Sequence, residues 1–389
     1  MKRKLLHYLM LAATLVGIPV VCCIIGGYDE ILDGVRQFPP RTEDWGLHPE
    51  RLWNFRRPFN WWWFGAMLAF TFASLMPLVR RGIVNRGKAP PPRKGGHFPV
   101  WGWGGLALLI AAWIVTWNRF EWFKDYQVIL SYFPVWMGYI VTVNALVKWR
   151  RGSCPLTGHP LVYALTFPLS SLFWWFFEFL NRFVWNWYYL GIAKLSAGEY
   201  TLYATLCFAS VLPAVYATAE LLGTFPFFDD HRYDGMAWRP DVRSNPARAF
   251  LAALSVIGLG GIVFFPEHTF MLLWISPLMV FVLIQSILGE PSVLDGLKFG
   301  SWGIVFRYSI AALVCGLCWE TWNYYALAKW VYAVPWVHRW QIWEMPVIGF
   351  AGYLPFGVEC AAVIHWLYDG FGLGKSITDP YGTDFTARS

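Results

Sequence analysis

The sequence predicts an all-α fold, a polytopic transmembrane helical bundle of about ten spans, and three observations predict it. Of 389 residues, 57% are hydrophobic and only 14% charged, against about 25% charged in soluble domains. Apolar runs long enough to cross a bilayer, roughly 17 to 25 residues, recur along the chain. The basic residues crowd onto alternate loops. Despite a net charge of +7, this pattern excludes a nucleic-acid-binding domain, a disulfide scaffold and a disordered chain.

Taken in order, the apolar runs fall at 5–26, 61–79, 100–117, 127–147, 161–180, 201–223, 249–265, 269–287, 304–322 and 345–367. Met1-Lys2-Arg3-Lys4 before the first run resembles the start of a signal peptide, but the run is long and lacks a small-residue cleavage motif, so a retained anchor is expected. With the N-terminus in the cytoplasm, cytoplasmic segments hold 19 Lys and Arg, the opposite loops hold 11, and Arg307 sits at the cytoplasmic start of its helix. This bias predicts that both termini are cytoplasmic in a bacterial inner membrane. Residues 28–60, with six acids and five arginines, make the main external segment. The acid-free stretch Arg80 to Pro99, through Lys88-Ala89-Pro90-Pro91-Pro92-Arg93-Lys94, reads as an extended linker facing anionic headgroups.

These signals divide the chain into an N-terminal two-helix unit (1–99), a four-helix repeat (100–224), and a second four-helix repeat with a short tail (225–389). The repeat is legible in spacing. Pro134 precedes Glu178 by 44 residues, Asn181 follows by three and Pro213 by 35; Pro277 precedes Glu320 by 43, Asn323 follows by three and Pro355 by 35. Each Glu-x-x-Asn helix leads into an aromatic connection, Trp185-Asn186-Trp187-Tyr188-Tyr189 or Trp330-Val331-Tyr332 with Trp336. Four spans separate equivalent points, so the repeats are expected to be parallel about an axis along the membrane normal.

The residues expected to carry chemistry are Glu178, Asn181, Glu320, Asn323 and Glu359. Ionised side chains within a span are disfavoured by roughly 2.5 to 3.5 kcal/mol on insertion scales, so they face a bundle interior, a cavity or a partner. Glu-x-x-Asn puts acid and amide on one helical face, where the amide can orient the carboxylate; the bland alternative is a hydrated Glu with an Asn satisfying the last carbonyls. Glu359 follows Pro355 by four residues, near a carbonyl that Pro frees. Glu220 is expected to snorkel to the cytoplasmic surface, and Glu344 to cap the last helix. Lys329, Arg182, His338 and Arg339 are placed to neutralise these acids, bind an anionic headgroup or anchor the interface. Cys315 and Cys318, three apart, read as packing or as a disulfide or metal pair. No matched pair of histidines suggests haem, no nucleotide or metalloprotease motif is present, and no cofactor or metal is expected.

With 26 Trp, 31 Phe and 19 Tyr, aromatic residues exceed what two interfacial belts require. The excess belongs either to core packing or to the walls of a ligand cavity, for which Trp175, Trp187, Trp319, Trp330 and Tyr353 are the expected lining.

Trp319-Glu320, the aromatic connection, Met345-Pro346 and a helix bearing Tyr353 and Glu359 resemble the small helical lycopene cyclases of carotenoid synthesis, over about 50 residues of each repeat. In that family a Trp-Asp helix precedes a Pro-Leu-Glu-Glu-type helix. The resemblance implies a related helical layout and an intramembrane carboxylic acid protonating a double bond. Where that family carries paired glutamates, this chain has Val347-Ile348, and Ala214-Val215 follow Pro213, so the cyclase activity itself does not carry over.

Three functions fit these features: binding of, or action on, an isoprenoid-like or other lipid between the repeats, with Glu320 or Glu359 as proton donor; transport of protons or cations; and a non-catalytic scaffold. Membrane lipids are the expected partners, alongside membrane proteins or further copies of the chain.

Overall fold

A computed structural model of the protein describes residues 2–28, 57–85, 96–123 and 132–373. Most of the external segment 28–60, the centre of the proline-rich linker and the C-terminal tail lie outside the described residues. The described chain is mostly helical, with four short strands.

The N-terminal run is broken into α1 (Lys2–Leu15) and α2 (Gly17–Gly26). Helix α3 (Trp61–Val84) starts where the Asn60 side chain accepts from the backbone N–H groups of Trp62 and Trp63, an N-cap that satisfies two otherwise unpaired donors. There follow α4 (Val100–Asn118), α5 (Tyr132–Arg151), α6 (Pro160–Val184), strand β1 (Trp187–Leu190), α7 (Ala197–Phe208) and α8 (Val211–Leu222). Ser196 and Glu199 form a reciprocal capping box on α7. The second half holds α9 (Asn245–Phe264), α10 (Ser276–Leu288), α11 (Gly303–Tyr324), β2 (Lys329–Tyr332), β3 (Gln341–Ile342), β4 (Met345–Pro346) and α12 (Tyr353–Gly370).

Among the described residues, eight helical stretches are long and apolar enough to cross a membrane. Pro266–Trp274 and Ser276–Leu288, bent by 52° at their junction, make a ninth if counted together. The remaining predicted span corresponds to α5, which ends in Lys148, Arg150 and Arg151.

Helix pairings run in parallel through the two halves. α4 packs on α5 and α9 on α10; α6 packs on α8 and α11 on α12; α5 packs on α8 and α10 on α12. The halves meet through α8 with α11, α8 with α12, and α6 with α12. α1 lies against α10 and α2 against α9. Close approach of α11 and α12 depends on Gly357, where an added Cβ would stand 2.1 Å from the Tyr308 carbonyl oxygen. Phe356, fully buried on α12, touches the rings of Phe173, Trp174, Phe177, Trp274 and Trp319 at the centre.

Candidate functional site

The two aromatic connections, distant in sequence, form one ribbon. β1 and β2 pair antiparallel, with Trp187 opposite Tyr332 and Tyr189 opposite Trp330. Because side chains alternate along a strand and directly opposed residues share a face, these four aromatic residues line one side of the ribbon. That side meets the ends of α6 and α11.

Both glutamates are buried beneath it. Glu178 is 1% exposed and Glu320 0%. Glu178 Oε1 accepts from the indoles of Trp174 (3.1 Å) and Trp187 (3.0 Å) and from the Tyr189 hydroxyl (2.5 Å). Glu320 Oε1 accepts from the hydroxyls of Tyr332 (2.6 Å) and Tyr353 (3.1 Å) and, at 3.4 Å, from the Trp330 indole. The same Trp330 N–H lies 2.8 Å from the Tyr332 oxygen. In both glutamates Oε2 has no hydrogen-bond partner, and neither forms an ion pair among the described residues. Burial first, then the neighbouring carboxylate, holds the Tyr189 and Tyr332 phenols well above their ordinary range, so both keep their protons and donate.

The asparagines do a different job from the one expected. Their amides do not touch the carboxylates. Asn181 donates to the Trp187 carbonyl (2.9 Å) and accepts from the Asn186 N–H (2.8 Å). Asn323 donates to the Trp330 carbonyl (2.8 Å) and accepts from the Trp330 N–H (2.9 Å). Each asparagine thus fixes the strand that carries the donors to the glutamate one turn before it. The bland reading of a glutamate at the wet interface does not fit either, since both side chains are buried.

Of the expected aromatic lining, Trp187, Trp330 and Tyr353 reach a carboxylate. Trp319 is buried and stacks on Tyr353 with centroids 5.8 Å apart. Trp175 points elsewhere, donating to the Thr205 hydroxyl at 2.9 Å; its neighbour Trp174 is the donor to Glu178. Trp174, Tyr189 and Tyr332 are donors that sequence reasoning missed. The alternation of the strands would have found the two tyrosines, each two residues beyond a tryptophan in its connection. Trp274, at the bend before α10, and Tyr132, at the start of α5, each pack a ring on one of the ribbon's tryptophans, Trp187 and Trp330, at 5.6 and 5.4 Å.

Other acids settle differently. Glu344 does not cap the last helix. Residues 341–346 form a small hairpin, β3 with β4, α12 begins only at Tyr353, and Glu344 pairs with Lys329 at 2.6 Å. Nor does Glu220 snorkel. It is 3% exposed, paired with Arg151 and, at 3.1 Å, with Arg307. Arg307 also makes two bonds to Asp230, at 3.0 and 2.8 Å. Two cations thus meet two anions at the opposite end of the bundle from the ribbon, the balance that buried charges require. Glu359, on central α12, is 3% exposed and its Oε2 has no partner; no hydrogen bond joins it to either glutamate beneath the ribbon. Cys315 and Cys318 are both free thiols, with Cys315 against the Thr218 hydroxyl.

What the ribbon and its two helices can do follows from this chemistry: hold two buried carboxyl groups among aromatic rings, one oxygen of each engaged by indole and phenol donors, with the Arg182 charge within electrostatic reach of Glu178. Comparison with family models, curated proteins and solved structures found no match for this chain.

Proposed function

We propose that this integral membrane protein binds, or acts on, an isoprenoid-like or other lipid at the twin-acid site, and that residues 100–224 and 225–389 are parallel four-helix repeats which bring the acids together. The observation that carries the reading is the pair of buried carboxyl groups, each without an ion pair among the described residues and bonded through one oxygen to indole and phenol donors. Burying such groups is unfavourable unless they serve a purpose. Aromatic walls suit an apolar, unsaturated ligand, and an acid with an unengaged oxygen suits proton delivery. The matching helix pairings support the repeat, as does the antiparallel pairing of equivalent strands. The resemblance to lycopene cyclases extends to a related helical layout and to Trp319-Glu320 at the place of that family's Trp-Asp pair, not to its paired glutamates.

Mass spectrometry of lipids retained by the purified protein tests this. An isoprenoid-class or similarly apolar lipid should be enriched over bulk phospholipid and lost in Trp187→Ala or Trp330→Ala. Bulk phospholipid alone, unchanged in these variants and in Glu320→Gln, would sink the proposal. One observation favours proton or cation transport instead: the buried Glu359 on the central helix. Proton flux into liposomes that Glu359→Gln abolishes would decide for that reading.

A further inference from the structure

The two acid sites differ in one donor, and the difference is built into the backbone. Four residues before Glu178 stands Trp174, whose indole donates to it at 3.1 Å. Four residues before Glu320 stands Gly316. A Cβ at Gly316 would lie 2.4 Å from Cδ2 and Cε2 of Tyr353. The ring of Tyr353, arriving from α12, therefore occupies the space a side chain at 316 would need, and its hydroxyl supplies the third donor to Glu320 at 3.1 Å. By the spacing that relates Glu178 to Glu320, 142 residues, the counterpart of Tyr353 is Val211, which has no donor to give. An indole from the acid's own helix has been exchanged for a phenol from the next.

The exchange changes what the site can do. An indole N–H only donates, whereas a phenol donates or accepts. At Glu178 two of the three donors are indoles, which cannot accept. A proton on Oε1 would face these two N–H groups with only the Tyr189 phenol able to receive it, so the partnerless Oε2 is the place for it. At Glu320 the two closest partners are phenols, and the one indole lies nearer the Tyr332 oxygen than the carboxylate. When Oε1 carries the proton, it donates to the Tyr353 oxygen. When that proton leaves, Tyr332 and Tyr353 both turn their O–H groups onto Oε1. No heavy atom need move.

We propose that the sites are not equivalent: Glu320, with Tyr332 and Tyr353, is the carboxyl group that reversibly exchanges a proton with the medium, while Glu178 is held in one protonation state and serves to anchor the ribbon. In the exchange, the Glu320 carboxylic acid gives its proton to water and becomes a carboxylate; the phenols keep their own protons, and the charges that face the two acids are unlike, Glu344 at Glu320 and Arg182 at Glu178. This deepens the twin-acid reading and rests on it for the location of the site, not for the identity of any ligand.

Infrared difference spectroscopy of the full-length protein in nanodiscs, titrated across pH, reads the carboxyl C=O band directly. A pH-dependent band should vanish in Glu320→Gln, persist in Glu178→Gln, and move its midpoint by about one pH unit in Tyr353→Phe, the size of one lost hydrogen bond to a charged group. Trp174→Phe should leave it in place. Should Glu320→Gln fail to fold, the contrast between Tyr353→Phe and Trp174→Phe gives the same answer. A band that follows Glu178, that responds equally to both acids, or that is missing from the wild-type protein overturns the inference. The expected pattern without any retained apolar lipid would keep this inference and remove the ligand from the proposal above.

Discussion

Single side chains at this site act through the backbone they hold. Asn323 satisfies both the N–H and the carbonyl of Trp330, so Asn323→Ala strips two buried groups of their partners at once. At about 1–3 kcal/mol for each unsatisfied group, thermal unfolding in detergent should shift clearly downward, and an unchanged midpoint would refute the clamp. Arg307 is 2% exposed and answers both Glu220 and Asp230. Removing one member of such a cluster costs about 3–5 kcal/mol, so Arg307→Met should yield little folded protein on gel filtration. His231 carries a pH dependence. Its hydrogen bond to Asp234 raises the imidazole above its ordinary 6.5. A raised value stabilises the fold fully below pH 6.5 and loses that effect as pH climbs through the folded value. Stability measured across this window should fall with rising pH in the wild type and fall less in His231→Gln; coincident profiles would count against it. The glutamates and asparagines were legible in the sequence because an acid in an apolar run is conspicuous. Their true partners were not. Whether Asn181 bonds the carboxylate or the strand is decided by where the strand turns back, and nothing local records that.

At the scale of elements, helix contacts turn on glycines that permit close approach. Gly357→Ala would force a methyl group to within 2.1 Å of the Tyr308 carbonyl. Backbone cannot rotate away as a side chain can, so a destabilisation of about 1–3 kcal/mol or more is expected. Gly104→Ala on α4, where nothing lies within 4 Å, should be neutral or stabilising by up to about 1 kcal/mol, the helix preference of Ala over Gly. A thermal-shift comparison of the two variants checks both. Helix positions were readable because apolar length is a strong signal: α3, α4, α6, α9 and α11 lie within a few residues of the predicted runs. The start of α12 was not. Met345-Pro346 looks like a helix opening, yet the backbone pairs with Gln341-Ile342 first. Hairpin pairing over two residues leaves no periodicity to detect. The β1–β2 ribbon was missed for a related reason, since its partners lie 139 to 145 residues apart.

For the whole molecule, the ribbon and the Arg307 cluster mark opposite ends, separated along α11 by thirteen residues, or roughly 20 Å of helix rise. The cluster end carries Arg80, Arg81, Lys148, Arg150, Arg151, Arg232, Arg239, Arg243, Arg248 and Lys298, and the positive-inside rule predicts that it faces the cytoplasm. A reporter active only in the cytoplasm should work when inserted near residue 238 and fail near residue 194; the reverse result would invert the topology. The general class, a helical membrane bundle, was legible from composition alone. The pairing of the strands that cover its two acids into one ribbon was not, because spacing shows that two segments are alike without showing that they touch.

The ribbon also sets an order of events during synthesis. Trp187 and Tyr189 leave the ribosome long before their strand's partner at 329–332 exists. Until then the first half must hold an unmatched strand edge and an unfinished anchor for Glu178. Translation of the second half supplies the missing strand, so a chain truncated before residue 329 should be recognised and degraded as an unfinished protein.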